Sequence, residues 1–336
     1  MTQELKLSDL PPLAFVSDSD RSPEREILDD SHDWDALILK EISKVTFRYE
    51  IGEKLGSGGT ADVFRALDTR LGRPVALKRF KAEAIEKESP AESDFHSELE
   101  SVSQINHPNV VRAFDLDDDE QGPFLVFELL AGQNLEEHMQ ESELSPETAR
   151  EFVLQALEAL CAVHDRGIFH LDLKPSNFMV SPTANGCPHF TLIDFGRACD
   201  HSREKERRAA KDKKSLRGSI HYMAPEQFTQ APCDKRTDLY SLGVIAYELF
   251  TGIRAFDGDN AVQVMSAHLT NRFEPIAEIQ PQLPDGIVYW IMAMISLDPA
   301  ARFQNAQEAM RSFLALTDVT PNVQNIAPPS MEKRFA

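Results

Sequence analysis

The pattern of apolar and polar positions divides the chain into a β-rich part followed by a helix-rich part. Short runs with alternating or β-branched character predict strands in the first part. Those strands cover residues 47–55, 61–67, 74–80, 110–116 and 124–129. A helical period of apolar residues predicts one main helix over residues 91–106, between the third and fourth strands.

After Gly132 the apolar residues recur at helical spacing. Ser145 and Pro146 are suited to the start of a helix, which Gly167 would end. Further helices are predicted over residues 238–250, 287–296 and 306–316, with a strand over residues 190–193. The order of elements therefore predicts an α+β fold with two unequal lobes, a small β-rich one and a larger helical one. We expect a hinge near residues 128–132 and a cleft between the lobes.

Composition and charge exclude several classes of protein. The chain has 336 residues, 42% of them hydrophobic, and a formal net charge of −20, which argues against duplex nucleic acid as a partner. Its four cysteines form no CxxC pair, so neither a zinc site nor a disulfide framework is indicated. The N-terminus carries no apolar secretory segment, and the longest apolar run, residues 287–297, is well short of the ~20 residues that a membrane span needs. We expect a cytoplasmic protein with no membrane span.

The two ends of the chain differ in composition from the part between them. Residues 1–46 carry eleven acidic and five basic side chains and predict a flexible acidic leader. Residues 319–336 are rich in proline and asparagine and predict a flexible tail. The folded domain is therefore expected over residues 47–318, with lobes over residues 47–130 and 133–318.

Two features of the predicted β-rich lobe are suited to binding a polyphosphate. The segment GSGGTADV, residues 56–63, can form a tight turn whose backbone N–H groups approach phosphates, although many turns have a similar sequence. Lys78 lies in the apolar run VALK, where burying an ammonium is costly without a partner. It is either an edge-strand lysine in solvent or a lysine paired with a carboxylate and directed at phosphates. Glu98 on the next predicted helix is the better candidate partner, since Glu100 lies on another face.

Polar groups in the helix-rich part suggest catalysis and metal binding. In HLDLKPSN, residues 170–177, Asp172 can accept a hydroxyl proton and Lys174 can neutralise developing charge. Asn177 can hold a magnesium ion through its side-chain oxygen, and Asp194, which begins DFG after an apolar strand, can do the same.

Taken together, these motifs resemble the eukaryotic-type (Hanks-type) serine/threonine protein kinases. The segments VALK, HLDLKPSN, DFG, APE (residues 224–226), DLYSLG (238–243) and DPAAR (298–302) occur in the family's order. The sequences of the glycine-rich segment and of YMAPEQF are similar to those of bacterial members of the family. The absence of a predicted membrane span suggests a stand-alone soluble kinase. The resemblance implies a bilobal kinase fold with its active site in the cleft, ATP and Mg²⁺ (with Mn²⁺ as an alternative) as cofactors, and proteins as substrates.

The resemblance also implies a role for each matching residue. Asp172 is the catalytic base, Lys174 marks a serine/threonine kinase, and Lys78 contacts phosphates while pairing with Glu98. Asn177 and Asp194 are the magnesium ligands. The nucleotide pocket is formed by Leu55, Gly56, Gly58, Gly59, Val63, Ala76, Lys78, the gatekeeper Phe127 and the hinge residues Glu128 and Leu130. Two structural contacts are implied as well: Asp238 with the catalytic-loop backbone, and Glu226 with Arg302.

Two residues depart from the family's pattern. Ala61 replaces a glycine of the glycine-rich loop. Leu171 replaces the arginine that, in the family, binds a phosphorylated activation-loop residue, so activity is expected not to depend on that phosphorylation in the usual way. Residues 201–217 of the activation segment carry eight basic and three acidic side chains. They form either a solvated loop or a contact surface for an acidic segment, in the substrate or in the chain's own leader.

Two other functions compete with protein kinase activity. A pseudokinase, acting as an ATP-binding or scaffolding module, shares the fold, but degenerate kinases usually lack one of the polar residues that are all present here. A small-molecule kinase of the aminoglycoside type is disfavoured by the APE segment, the DPAAR segment and the long activation loop.

Overall fold

A computed structural model describes residues 48–59, 61–81, 102–103, 105–184, 186–196, 198–200 and 220–317. The predicted leader, most of the predicted helix over residues 91–106 and the basic run of the activation segment lie outside these residues. Among the described residues, no helix combines the length and the apolar character needed to cross a membrane.

The N-terminal lobe contains a five-stranded antiparallel sheet in the order β1-β2-β3-β5-β4. Its strands are β1 (Tyr49–Ser57), β2 (Ala61–Asp68), β3 (Arg73–Phe80), β4 (Ala113–Asp119) and β5 (Gly122–Glu128). One face of this sheet buries a small apolar core that includes Tyr49, Phe124 and Val126.

Alternation along β3 divides its side chains between two environments, because successive residues of a strand point to opposite faces. Val75 and Leu77 are fully buried in the small core of the sheet. Ala76 and Phe80 pack against the larger core, which is formed mainly by the helical lobe. Lys78 lies between them in the strand and therefore shares the face that looks toward the cleft.

The C-terminal lobe is mainly helical. Its helices are α1 (Leu135–Glu141), α2 (Pro146–His164), α3 (Pro225–Phe228), α4 (Lys235–Thr251), α5 (Ala261–Leu269), α6 (Ile276–Ile279), α7 (Asp285–Met294) and α8 (Ala306–Thr317). Helix α4 is buried along most of its length and lies against α2 and α7. The α+β, two-lobed fold expected from the sequence is confirmed.

Local capping explains where the main helices begin and end. Ser145 caps α2 by accepting a hydrogen bond from the backbone N–H of Thr148 at 3.2 Å, as predicted. Helix α4 begins three residues before the predicted start, because Asp234 accepts from the N–H of Arg236 at 2.8 Å and caps it there. Gly252, in the left-handed conformation with φ of 76°, ends α4, which runs to Thr251 and so one residue beyond the predicted end.

Short strands complete the region between the lobes. They are β6 (Gln133–Asn134), β7 (Ile168–Phe169), β8 (Phe178–Ser181), β9 (His189–Leu192) and β10 (Cys199–Asp200), arranged as the sheets β6-β8-β9 and β7-β10. The two lobes are also joined where the N–H of Val111 donates to the carbonyl of Leu192 at 2.9 Å. Residues that precede β4 are thus anchored directly beside the strand that leads to Asp194.

Candidate active site

Lys78 occupies a central strand and not an edge. Strand β3 is paired on both sides, with β2 and with β5, and the Lys78 side chain is only 13% exposed. Its Nζ atom lies 2.7 Å from Oδ1 of Asp194, a residue of the helical lobe 116 positions later. The interpretation of Lys78 as a solvated edge lysine is therefore wrong, and the pair joins the two lobes across the cleft.

The glycine-rich turn between β1 and β2 is held by polar contacts. The N–H of Gly58 donates to the carbonyl of Ala61 at 2.8 Å, which closes the turn. Lys81, just after β3, donates from Nζ to the Gly58 carbonyl at 2.7 Å. Its charge also lies 3.4 Å from Asp62 of β2. The turn is thus tied to the end of the strand that carries Lys78.

Asp62 is the centre of this network. It accepts a hydrogen bond from the Ser57 hydroxyl at 2.6 Å and pairs with Lys54 at 2.9 Å. The Ser57 hydrogen bond, followed by that of Lys54, lowers the pKa of Asp62 to about 2. Asp62 is therefore ionised across the physiological range and keeps both cations beside the turn.

The residues expected around a nucleotide base are neighbours in the sheet. Val63 is the register partner of Gly56 on β1 and of Lys78 on β3, and Ala76 is the partner of Phe127 on β5. Phe127 is buried. Leu55, at 48% exposed, stands at the open side of this group, and Gly59 is exposed in the turn.

At the predicted hinge, the backbone N–H of Glu128 is already hydrogen-bonded within the protein. The N–H of Glu128 donates to the carbonyl of Arg112 at 3.0 Å, and its side chain accepts from the Arg112 N–H at 2.7 Å. The Glu128 N–H is therefore not available to a ligand. Leu130 is half-buried and packs against the large core.

The loop that carries Asp172 is fixed from below by α4. The buried Asp238 carboxylate accepts from the backbone N–H of His170 at 2.9 Å and of Leu171 at 2.7 Å. His164, at the end of α2, lies 2.9 Å from the same carboxylate. The expected contact between Asp238 and the catalytic-loop backbone is confirmed. Because the acceptor is a buried charge, these hydrogen bonds are of the strong, charge-assisted kind.

Asp172, Lys174 and Asn177 converge on one point of this loop. The ammonium of Lys174 lies 3.1 Å from Oδ2 of Asp172. The side-chain amide of Asn177, which is buried, donates to the Asp172 carbonyl at 2.7 Å. A carboxylate is thus held beside a cation on a loop whose backbone is fixed at several atoms.

Asp194 is connected to the same loop through its neighbours. The N–H of Ile193 donates to the carbonyl of Asn177 at 2.8 Å, and His170 lies 3.3 Å from the Ile193 carbonyl. Phe195 is buried, with its ring 5.0 Å from the His170 ring. Lys78, Asp172, Lys174, Asn177 and Asp194 therefore meet in one contiguous set of contacts.

The charge state of Asp194 is controlled by Lys78. Desolvation in the cleft raises the pKa of the Asp194 carboxyl, but the charge and hydrogen bond of Lys78 outweigh it and hold that pKa well below its ordinary value. The carboxylate is therefore ionised at neutral pH, while its side chain remains 43% exposed.

The donor atoms fit a hard divalent cation. Asn177 uses its amide nitrogen on the Asp172 carbonyl, which leaves its side-chain oxygen for a ligand, and Asp194 contributes an ionised carboxylate. Amide and carboxylate oxygens are the ligands that Mg²⁺ prefers, and Mg²⁺ is commonly held by one or two protein groups together with substrate phosphates.

Backbone strain is concentrated at the site. Among the described residues, four non-glycine residues have positive φ, and two of them are Leu171 (φ 61°) and Asp194 (φ 64°). Such conformations cost of the order of 1–3 kcal/mol and persist where the surroundings over-determine them. Leu171 directly precedes Asp172 of the polar cluster, and Asp194 is itself a member of that cluster.

Some predicted residues lie outside the described part of the chain, and some contacts were missed by sequence reasoning. Glu98 falls outside it, so the Lys78–Glu98 pair stays a prediction. The Glu226–Arg302 pair is confirmed, at 2.7 Å and buried. The contacts of Lys81 and Gln227 were not predicted. No sequence signal distinguishes these two residues from the other lysines and glutamines of the chain.

Comparisons with known proteins agree with this geometry. A two-lobed fold with a lysine on β3 and the aspartate of a DFG segment in the cleft between the lobes is typical of protein kinases. Residues 49–314 match the family model described as protein kinase domain, so the chain belongs to that family.

Named relatives come from several bacteria. PrkC of Bacillus subtilis, named a serine/threonine-protein kinase, is 31% identical over 81% of this chain and 40% of its own length. A Streptomyces coelicolor protein with the name "Probable serine/threonine-protein kinase" is 33% identical over 84% of this chain and 42% of its own. The serine/threonine-protein kinase pkn3 of Myxococcus xanthus is 32% identical over 88% of this chain and 54% of its own. The chain thus spans about half or less of the length of these relatives.

Proposed function

We propose that the chain is a protein serine/threonine kinase that transfers the γ-phosphoryl group of ATP to hydroxyl groups of proteins. The observation that carries the proposal is the contiguous set of contacts from Lys78 through Asp194 to Asn177, Asp172 and Lys174. In it, a cation, two candidate metal ligands and a proton acceptor surround one cleft. The names of the bacterial relatives, and the resemblance of Lys174 to serine/threonine kinases, support hydroxyl groups of serine and threonine as acceptors.

Each side chain then has a role in the transfer. Lys78 binds the α- and β-phosphates, and the glycine-rich turn of Gly56, Gly58 and Gly59 covers them with backbone N–H groups. Asp172 accepts the proton of the attacking hydroxyl, and Lys174 stabilises the negative charge of the transferred group. The purine would lie among Leu55, Val63, Ala76 and Phe127, with Glu128 and Leu130 at the hinge.

Asn177 and Asp194 would hold the metal. A Mg²⁺ ion held there, or Mn²⁺ in its place, would supply positive charge that neutralises the phosphates of the nucleotide. The low pKa of Asp194 keeps its carboxylate charged and ready for a cation at neutral pH.

Radiolabelled ATP and a generic basic protein test the proposal. Asp172→Asn is expected to lower the labelling rate by at least ~100-fold, since general-base catalysis contributes about 10²–10⁴-fold. Asp259→Asn, an exposed aspartate before α5, is the matched control and should keep the parent rate. Phosphoamino-acid analysis of the product separates serine and threonine from tyrosine. Equal labelling by Asp172→Asn and the parent would instead favour a pseudokinase that binds nucleotide.

Leu171 supports a second, finer part of the proposal: activity without the usual activation-loop phosphate. A leucine offers no charge to a phosphate, so the receptor for that switch is missing. Treatment with a phosphatase should leave the rate within about twofold of the untreated enzyme, a difference of ~0.4 kcal/mol. A large loss that tracks a site between residues 197 and 219 would refute this part.

Charge also suggests a self-contact between the acidic residues 1–46 and the basic residues 201–217. Removing residues 1–46 should then change the rate or the protease protection of the loop, in a salt-dependent way. If neither changes, the self-contact is excluded.

A further inference from the structure

The residue before Asp172 is held at both of its backbone polar groups. The Leu171 N–H donates to Oδ1 of Asp238 at 2.7 Å, and its carbonyl accepts from Nε2 of Gln227 at 2.9 Å. Leu171 itself has φ of 61°, which is uncommon for a residue with a Cβ atom. The direction in which the chain enters Asp172 therefore depends on these two partners.

Gln227 is fixed on its own side as well. It lies on α3, and its Oε1 accepts from the N–H of Ala224 at 2.9 Å. Its neighbour Glu226 is buried and paired with Arg302 at 2.7 Å. Both ends of the Gln227 amide are thus used: one holds the end of the activation segment and the other holds the catalytic loop.

We propose that Gln227 is a positioning residue that ties the end of the activation segment to the backbone beside Asp172. The tie needs no phosphate and no charge, because a neutral amide serves both partners. Leu171 takes part in the tie through its carbonyl oxygen and not through its side chain. This inference rests on the proposed kinase function and adds to it a way of keeping Asp172 in place in the unphosphorylated chain.

Two substitutions separate the tie from simple packing. Gln227→Met removes both hydrogen bonds and keeps the side-chain length. Gln227→Glu keeps an acceptor for the Ala224 N–H but loses the donor to the Leu171 carbonyl. Each is expected to lower kcat about tenfold, which is ~1.4 kcal/mol, with KM for ATP within twofold of the parent.

The matched control is Gln304→Met. Gln304 also donates from its amide to a backbone carbonyl, that of Arg302 at 2.6 Å, but it does not contact the catalytic loop. It should keep the parent kcat even where its melting temperature falls. A Gln227→Met enzyme with the parent kcat, or a Gln304→Met enzyme with the same loss of kcat, would overturn the proposal.

Hydrogen exchange gives a readout that does not need activity. Peptides that cover residues 168–177 should exchange several-fold faster in Gln227→Met than in the parent, and at the parent rate in Gln304→Met. If the parent transfers no phosphate, the proposed function fails while this measurement still decides the tie. Unchanged exchange in Gln227→Met would overturn it.

Discussion

Replacing Asp238 by asparagine is the sharpest test of how the catalytic loop is held. The side chain is 1% exposed, and its two oxygens face different backbone donors, the N–H groups of His170 and Leu171. Asparagine has the same shape but only one acceptor oxygen. Whichever way the amide is turned, its NH₂ group must face a buried N–H group, so one donor loses its partner.

The expected cost follows from the lost contacts. A hydrogen bond to a charged group contributes ~1.5–3 kcal/mol, and a buried donor left unsatisfied costs ~1–3 kcal/mol. His164, 2.9 Å from the carboxylate, also loses a charged neighbour. We therefore expect Asp238→Asn to lower the free energy of unfolding by about 3–5 kcal/mol, a size seen where a buried polar network is broken.

Urea unfolding followed by tryptophan fluorescence measures this change, because Trp290 is fully buried in the helical lobe. The slope of the transition should stay unchanged while its midpoint falls. Asp259→Asn removes an exposed carboxylate and should shift the free energy by less than ~0.5 kcal/mol. If Asp238→Asn lowers the free energy of unfolding by less than ~1 kcal/mol, the catalytic loop does not depend on this carboxylate and the expected cost of the lost hydrogen bonds is wrong.

Two further substitutions test the hinge and the glycine-rich turn. Gly132→Ala should lower the free energy of unfolding by at least ~2 kcal/mol in the same assay, because φ is 99° and the new Cβ would lie 2.0 Å from the backbone oxygen of Val180. Gly286→Ala is the control and should lower it by less, because its Cβ would meet only the end of a flexible side chain. Equal losses in the two variants would contradict the reasoning. Lys81→Met should raise KM for ATP ~3–10-fold (~0.7–1.4 kcal/mol) with kcat nearly unchanged, because the glycine-rich turn loses its hydrogen bond to the residue after β3. Arg65→Met, on the exposed part of β2, is the control. An unchanged KM in Lys81→Met would refute the role of Lys81 in holding the turn.

Most strands of the N-terminal sheet and four of the eight described helices of the helical lobe could be predicted, because their apolar periods are local. The strand predicted over residues 110–116 was misplaced: β4 runs from Ala113 to Asp119. Val110 and Val111 are buried, but at the junction with Leu192 and not in the sheet. The acidic end of β4 is stabilised by distant arginines, since Arg48 pairs with Asp115 and Arg79 with Asp119. No local pattern reveals partners that lie so far apart in sequence.

Four of the eight described helices of the helical lobe were not predicted, namely α1, α3, α5 and α6, although two of them have a readable signal at their first turn. Asn134 and Glu137 form a capping box at the start of α1, with the Glu137 N–H 2.9 Å from the Asn134 side chain. Helix α5 begins after Asn260, which accepts from two backbone N–H groups. Both helices are short, so their apolar period is brief and the cap residues are the stronger indication.

The site was predictable as a set of residue types but not as a set of distances. Motif order indicated Lys78, Asp172, Asn177 and Asp194, because each motif carries its own chemistry. That Lys78 lies 2.7 Å from Asp194 depends on how two lobes close, which spacing does not encode. The sequence also gives no indication of the backbone strain at Leu171, because leucine is not a residue typical of positive φ.

The two site residues with positive φ, Leu171 and Asp194, are held in different ways, and this difference bears on function. Leu171 is held by Asp238, a 1% exposed group of α4, so its conformation is set when the helical lobe folds. Asp194 is held in part by Lys78, through a pair whose carboxylate is 43% exposed. Phosphates of the proposed substrate would compete for the Lys78 ammonium, and a metal ion for the Asp194 carboxylate, since the two groups are charged and face the cleft. The proposed proton acceptor, Asp172, is therefore positioned by folding, whereas the candidate metal ligand, Asp194, is positioned in part by an ion pair that the proposed binding of nucleotide would rearrange.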